Sequence, residues 1–551
     1  MRLSLGLLLA LGLAAHEPVR ARKAMVVAQE PIATDVGVEI LKRGGNAYDA
    51  AVAVAFALAV TYPTAGNIGG GGFALIRTAS GDTNFIDFRE KAPASATRDM
   101  YLDKDGKPTR DSIVGWRASG VPGTVRGLEL LHKKYGKLRW SELVRPSVRL
   151  ARNGYELSYA AARGLKSGER LLGQFPESKC IYLNNGSFYE AGQRLRLPAL
   201  ARTLDRIAKR GPNEFYQGTT ARLLATEMAK NGGLVTLADL NAYQAAERKP
   251  LLGKYHGHDI IAAPPPSSGG VGMLQMMGML DRLDYVKAGM GSAKLAHALA
   301  ETMRRFYADR SQFLGDPDFV KVPFAGLLAP SYISSRAATI ADRATPSESL
   351  QHGAVPADES PETTHISIVD SSGNAVSLTY TLNGGYGSGV TAPGLGFLLN
   401  NEMDDFSAKP GAANMFGAVG GEANAIAPGK RMLSSMTPTI VTKDGKLLLV
   451  IGAPGGTRII TGVMQAILNV IDFKLNIQDA IDAPRLHHQW LPDRLYLERG
   501  WSPDTADLLR KMGHTVETGA TGVSNVHGIL VEDQWLQGAP DGRSNGKAAG
   551  Y

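Results

Sequence analysis

The chain is 551 residues long, 44 % apolar and 20 % charged, with a formal net charge of +8; this profile excludes an intrinsically disordered chain. Its 60 Lys+Arg and 52 Asp+Glu are interleaved rather than gathered into a basic patch, which argues against nucleic-acid binding, and the single cysteine, Cys180, excludes an internal disulfide and a cysteine-based zinc site. Glycine is in surplus, 64 residues of 551 against an average of about 7 %, and with no Gly-X-Y period to make it collagen the surplus must sit in particular turns.

Residues 1–15 read as a signal peptide. Arg2 gives a minimal positive start, 3–15 is an apolar stretch too short to span a bilayer, and Gly12 and Ala14 suit a cleavage site. Export together with a lone cysteine points to a bacterial periplasm or secretion. The pattern then predicts a short amphipathic helix over 34–43, stopped by Gly44-Gly45, and a second helix over 47–60 capped by Asn46. Eleven consecutive apolar residues, 50–60, make that second helix a buried core element. Gly69–Gly72 empties into a strand at 73–77, with a hairpin partner at 84–88. From about 120 to 310 the periodicity is mostly helical, over 125–135, 141–152, 200–210 and 292–310, each ending near Gly or Asn. Pro264–Gly270 interrupts this region as a rigid turn, and residues 340–362, rich in Ser, Pro, Glu and Asp, read as an exposed loop. Hairpin signals follow at 363–369 with 375–380 and at 438–442 with 446–452. Ala453-Pro454-Gly455-Gly456 then leads into a helix over 459–471. At about 150 residues per domain the length allows three or four blocks, and hairpins among helices predict layered α and β structure.

No His-Glu-x-x-His, GxxxxGK[ST] or Gly-x-Ser-x-Gly occurs. His487-His488 are adjacent, so on a strand their rings face opposite ways; they read as structural or surface residues rather than a metal site. The informative stretch is Pro361-Glu362-Thr363-Thr364-His365, where a polar segment gives way to a β-run. If the chain were cut before Thr363, that residue would carry a hydroxyl nucleophile and a free α-amine, whose pKa of about 7.7–8.0 suits a base near neutral pH. On the residues alone this is weak, since a Thr-Thr pair opening a strand usually reflects only β-propensity.

The surroundings decide between the two. Gly44–Asp49, Ala65–Phe73, Asp87–Pro93, Pro264–Gly270, Tyr307–Phe319, Thr363–Asp370, Thr379–Asn383, Leu399–Phe406, Leu433–Thr439, Gly452–Ile460 and Ala483–Trp490 run in order along nearly the whole chain. With these stretches the sequence strongly resembles the bacterial type of the γ-glutamyltranspeptidase (γ-glutamyltransferase, glutathione hydrolase) family.

The resemblance implies an α+β fold, the four-layer αββα sandwich of the N-terminal nucleophile hydrolases, and an inactive precursor that cuts itself once, between Glu362 and Thr363. The products would be a large subunit, 16–362, and a small subunit, 363–551, held together as a heterodimer. It further implies that Thr363 attacks the γ-glutamyl amide of glutathione and related compounds, and that the group then passes to water or to an amino-acid or peptide acceptor. Thr381 would support the nucleophile, and Gly455 and Gly456 would form the oxyanion hole. Arg89, Ser434 and Ser435 would take the substrate's α-carboxylate, and Asn383, Glu402 and Asp405 its ammonium. Residues 407–425 match a lid, with Phe416 where many members carry Tyr; Met432 replaces a common Pro. No metal, other cofactor, nucleic acid or membrane span is implied once the signal is removed. Two other readings remain, a cephalosporin or glutaryl acylase on the same scaffold and an unprocessed, non-catalytic homologue. Asp405 argues against the acylase, since a glutaryl group has no ammonium to meet it.

Overall fold

A computed structural model describes residues 16–350, 363–520 and 522–551. The signal-peptide and Glu362 expectations lie outside the described residues. Two antiparallel seven-stranded sheets form the centre. In the first, the order is Val19–Ala21, Trp535–Ala539, His527–Glu532, Lys446–Gly452, Thr439–Lys443, His258–Ala262 and Leu251–Tyr255. In the second it is Lys547–Gly550, Met25–Ala28, Thr364–Val369, Ala375–Thr381, Gly71–Arg77, Thr83–Asp87 and Ala246–Arg248.

Side-chain alternation along the central hairpin of the second sheet assigns its two faces. Ile366, Ile368, Val376 and Leu378 join a core with the helix Ala47–Thr61 and its neighbours. His365, Ser367, Ser377 and Thr379 face the first sheet instead: Ser367 Oγ donates to the Val450 carbonyl at 3.3 Å and Ser377 Oγ to Ile451 at 2.9 Å. On the far side of the first sheet, Gly269–Leu280, Ala293–Phe313 and Arg458–Ile471 complete the second helical layer. The four layers are thus helix, sheet, sheet, helix, an α+β sandwich in one body rather than three or four blocks.

Ala47–Thr61 is a helix because Asn46 accepts from the Tyr48 and Asp49 amides while Asp49 reaches back to the Asn46 amide at 3.1 Å. It is buried all round, so its apolar run needs no membrane; among the described residues no helix is long and apolar enough to cross one. Most boundaries match the expected ones within three residues. Two details differ from expectation. The first helix begins at Pro31, with Glu30 accepting from the Ile32 and Ala33 amides as the cap; proline at the first turn and a glutamate cap hid it. The 340–350 part of the exposed loop is pinned down: Ser347 is fully buried, receiving Arg304 and donating to the Trp490 carbonyl at 2.7 Å.

His487 and His488 are both fully buried, so they are structural and not surface groups; His487 bonds Thr461 and Gln489, and His488 bonds Asp493. His527, also buried, bonds Gln29 at 2.6 Å, and burial pulls its pKa down to about 4. An unfolded histidine titrates near 6.5, so below that pH the unfolded chain binds more protons at this site and the stability it contributes is lost as pH falls toward about 4. His527→Gln removes this linkage. The destabilisation it causes, read from denaturant melts, is expected to shrink by about 2 kcal/mol between pH 6.5 and pH 5.

Candidate active site

Thr363 sits at the entry to the strand Thr364–Val369, opposite the end of Ala375–Thr381. It lines a pocket with Arg89, Arg310, Thr381, Asn383, Glu402, Asp405, Asn414, Phe416, Ser434, Ser435 and Gly456, among others. These residues come from sequence positions hundreds apart, and the sandwich brings them to one end of the sheet pair.

Thr363 Oγ1 lies 3.4 Å from Thr381 Oγ1, which accepts the Asn383 amide at 2.8 Å. Asn383 has φ = +78°, a left-handed conformation that asparagine tolerates, and this turns the chain so that its side chain enters the pocket. Its amide group donates to the Asn401 carbonyl at 3.0 Å.

The strand Lys446–Gly452 runs into Ala453-Pro454-Gly455-Gly456 ahead of the helix Arg458–Ile471. Gly455 and Gly456 have φ of +139° and +54°, and among the described residues neither N–H finds a partner. Two unspent amides beside a helix N-terminus suit a developing oxyanion. Gly456 lines the pocket; Gly455 does not, and a Cβ there would meet Ser524 at 2.9 Å. A Cβ on Gly456 would meet the Phe416 ring at 3.0 Å in a backbone region that disfavours it. Gly456→Ala is therefore expected to lower kcat about 10²- to 10³-fold with little change in KM, measured by steady-state kinetics.

Arg89 follows the strand Thr83–Asp87 and is almost wholly buried. Its Nη1 pairs with Glu402 and its Nη2 with Asp405, while its Nε donates to the Met432 carbonyl at 3.3 Å. The expected carboxylate anchor and ammonium acceptors therefore lie against one another in this state. Burial pulls the guanidinium pKa down, but Glu402, Asp405 and Glu90 outweigh it and keep Arg89 charged. Burial also pushes Glu90 up to about 7 against the pull of Arg89, and holds Glu402 well above the usual carboxylate range. Both Glu90 oxygens and Glu402 Oε2 lack a donor, and this burial without partners favours the protonated form of the two carboxyls.

The segment 407–425 closes over the pocket. Asn414 donates to Asp405 Oδ1 at 3.0 Å, the Met415 amide donates to Asp404 at 2.8 Å, and the buried Phe416 ring covers Gly456. Met415 Sδ lies 3.8 Å from Asn383 Nδ2.

Sequence reading missed Arg310 and Asn414. Both stood in noted stretches, Tyr307–Phe319 and 407–425, but nothing in their spacing showed that they face the pocket. Among the described residues one group could approach a metal ion, His297, Glu301 and His514. Glu301 is already engaged by Arg304, Arg305 and Thr345, and His297 Nδ1 bonds His514 Nε2 at 2.8 Å. Two guanidiniums at its carboxylate oppose a second cation.

Residues 33–551 match the sequence profile of the family described as gamma-glutamyltranspeptidase. The chain is 51 % identical over 539 residues to the glutathione hydrolase proenzyme of Escherichia coli K12, covering 97 % of this chain and 93 % of that one. Among solved structures, the cephalosporin acylase of Bacillus halodurans superposes with a TM-score of 0.86 at 26 % identity, covering 98 % and 97 %. The gamma-glutamyltranspeptidase of Helicobacter pylori gives 0.57 at 44 % identity, covering 58 % of this chain and 93 % of that one.

Proposed function

The chain belongs to the γ-glutamyltranspeptidase family, and on that premise we propose how its pocket performs the reaction. The protein hydrolyses γ-glutamyl compounds such as glutathione, transfers the γ-glutamyl group, and is made as a precursor that processes itself.

The precursor is cut between Glu362 and Thr363, giving a large subunit, 16–362, and a small subunit, 363–551. Sheet pairing explains why these would stay together: Thr364–Val369 is hydrogen-bonded to Met25–Ala28, and Ala375–Thr381 to Gly71–Arg77. Three of the six strand pairings in this sheet run between the two fragments. Before the cut the nitrogen of Thr363 is an amide with no basic lone pair. After it, the α-amine takes the proton from Oγ1 as the oxygen attacks the γ-carbonyl. The oxyanion settles on the Gly455 and Gly456 amides, and the carbon–nitrogen bond breaks as the departing amine takes the proton. The ester on Thr363 then yields to water, releasing glutamate, or to the amine of an amino acid or peptide. No step calls for a metal or other cofactor.

The head of the γ-glutamyl group carries a carboxylate and an ammonium. Arg89, Ser434 and Ser435 hold the former, and Asn383, Glu402 and Asp405 the latter. The observation that carries this reading is the meeting of Thr363, Thr381, Gly456 and the Arg89–Asp405 cluster in one pocket. Export to the periplasm or beyond follows the signal-peptide reading of residues 1–15.

The likeness to a cephalosporin acylase gives a second reading, cleavage of a glutaryl amide. Such a group lacks the ammonium, so Glu402 and Asp405, which share the single guanidinium of Arg89, would receive no second cation in a desolvated site. The p-nitroanilides of γ-glutamate and glutarate separate the two readings. The γ-glutamyl compound is expected to turn over faster by about 10²-fold or more, on the scale of an unpaired buried polar group. Faster turnover of the glutaryl compound would replace this function by the acylase.

A further inference from the structure

Arg310 is a buried arginine without a carboxylate. It lies near the end of the helix Ala293–Phe313, 7 % exposed, and lines the catalytic pocket. Its helix neighbours are matched: Arg304 pairs with Glu301 and Asp493, and Arg305 with Glu301. Among the described residues Arg310 has no acidic oxygen within 4.0 Å. Its Nε donates to Ser268 Oγ at 3.0 Å and its Nη2 to Ser435 Oγ at 3.2 Å.

Those two bonds fix where hydroxyl protons go. A guanidinium only donates, so Ser435 Oγ accepts from Arg310 and keeps its own proton for another partner. Ser434 is arranged in the same way, since its Oγ accepts the Met436 amide at 3.1 Å. Neither hydroxyl proton is spent on a described residue. Ser268, which also accepts from Arg310, donates to the Ser434 carbonyl at 2.7 Å, and Ser267 donates to the Met436 carbonyl at 2.7 Å. The Pro264–Gly270 turn thus clamps the serine pair from behind, a role its sequence did not reveal.

Charge gives the same answer. Arg89 already faces Glu402 and Asp405. Glu90 lies 3.8 Å from Arg89 as well, so three carboxyls surround that one guanidinium. Arg310 is the second arginine lining the pocket; its charge offsets this acidic cluster, and without it the pocket repels an incoming carboxylate.

We propose that Arg310 is a specificity-determining and positioning residue for the substrate's α-carboxylate: it supplies the pocket's second positive charge and holds Ser435 so that its hydroxyl proton faces that carboxylate. The proposal rests on the assignment of Arg89, Ser434 and Ser435 to the α-carboxylate. Its test compares Arg310→Met and Arg310→Lys on two p-nitroanilides, γ-glutamyl and 4-aminobutyryl, the second keeping the ammonium but lacking the α-carboxylate. Self-cleavage of each variant on a denaturing gel reports folding. Arg310→Met is expected to raise KM for the γ-glutamyl compound about 10- to 100-fold, more than it lowers kcat, the scale of one charge-assisted contact. The ratio of kcat/KM between the two substrates should fall by a similar factor, and Arg310→Lys should recover part of it. Equal losses on both substrates, an unchanged KM, or failure of both variants to self-cleave would overturn the proposal. Arg89→Lys run alongside separates the levels. If it raises KM while Arg310→Met does not, only the Arg310 role fails; if neither does, the carboxylate assignment itself fails.

Discussion

Thr363→Ala is expected to remain one chain near full length on a denaturing gel and to lose γ-glutamyl transfer by at least about 10⁴-fold, the scale seen when a hydrolase loses its nucleophile. One oxygen is asked to do both jobs. In the precursor it would attack the carbonyl of residue 362, and in the mature enzyme the γ-carbonyl of the substrate. The oxygen is buried in the pocket, with Thr381 Oγ1 at 3.4 Å. Removing it leaves the fold intact, since Thr364–Val369 keeps its ladder on both sides. Thr363→Ser keeps a hydroxyl and should cleave itself. A processed, active Thr363→Ala protein would remove Thr363 from the mechanism.

Arg89→Ala has the second largest expected effect, because it acts on stability and on binding together. The wild-type guanidinium lies among Glu402, Asp405 and Glu90, the last at 3.8 Å, with almost no solvent access. Removing it leaves these carboxyls without a cation in a desolvated space. Breaking a buried pair in this way costs about 3–5 kcal/mol, part of which the carboxyls recover by taking up protons. A lower melting temperature at pH 8 than at pH 6, relative to wild type, is the expected sign, since protonation at the lower pH relieves the unpaired charge. For the γ-glutamyl substrate, kcat/KM should fall about 10³-fold, mainly through KM, as two charge-assisted contacts are lost. Arg89→Lys keeps the charge without the fork and should lie between. An Arg89→Ala enzyme with wild-type KM would show that the α-carboxylate binds elsewhere.

The buried helix Ala47–Thr61 and the two hairpins were legible because local signals agreed with the global fold. Asn46 is both a good cap and the observed cap, and apolar runs fell where helices and strands are buried on both sides. The start at Pro31 was hidden by an uncommon local cap, Glu30, and the burial of Ser347 was not legible because it depends on partners far along the chain. Ser347 is held by Arg304 and Trp490, which no local pattern could indicate. The same division holds at the site. Thr363, Thr381, Asn383 and the glycine pair stand inside short motifs whose chemistry can be reasoned about one by one. Arg310 was invisible because a helix arginine in a polar stretch reads as a solvated group; only packing shows that it lacks a carboxylate and faces the pocket. The mutual pairing of Arg89 with Glu402 and Asp405 was likewise out of reach, since residue types show which groups want each other but not which are already engaged.

The glycine surplus also resolves in space. Gly70, Gly71 and Gly72 lie so close to the backbone of Thr381, Phe88 and Thr379 that a Cβ on each would come within 2.5 Å of a carbonyl oxygen. They let the strand Gly71–Arg77 press against the strand carrying Thr381 on one side and against Thr83–Asp87, which leads to Arg89, on the other. Gly456, beyond the end of a strand of the other sheet, lines the pocket.

The central claim is that this chain makes its own catalytic residue by exposing the amine of Thr363. The most direct measurement is N-terminal sequencing of the smaller fragment from purified, active enzyme, together with its intact mass. The account predicts a fragment beginning Thr-Thr-His-Ile-Ser-Ile-Val-Asp and ending at Tyr551. A fragment beginning at any other residue, or full γ-glutamyl transfer from a chain that is never cut, would contradict it.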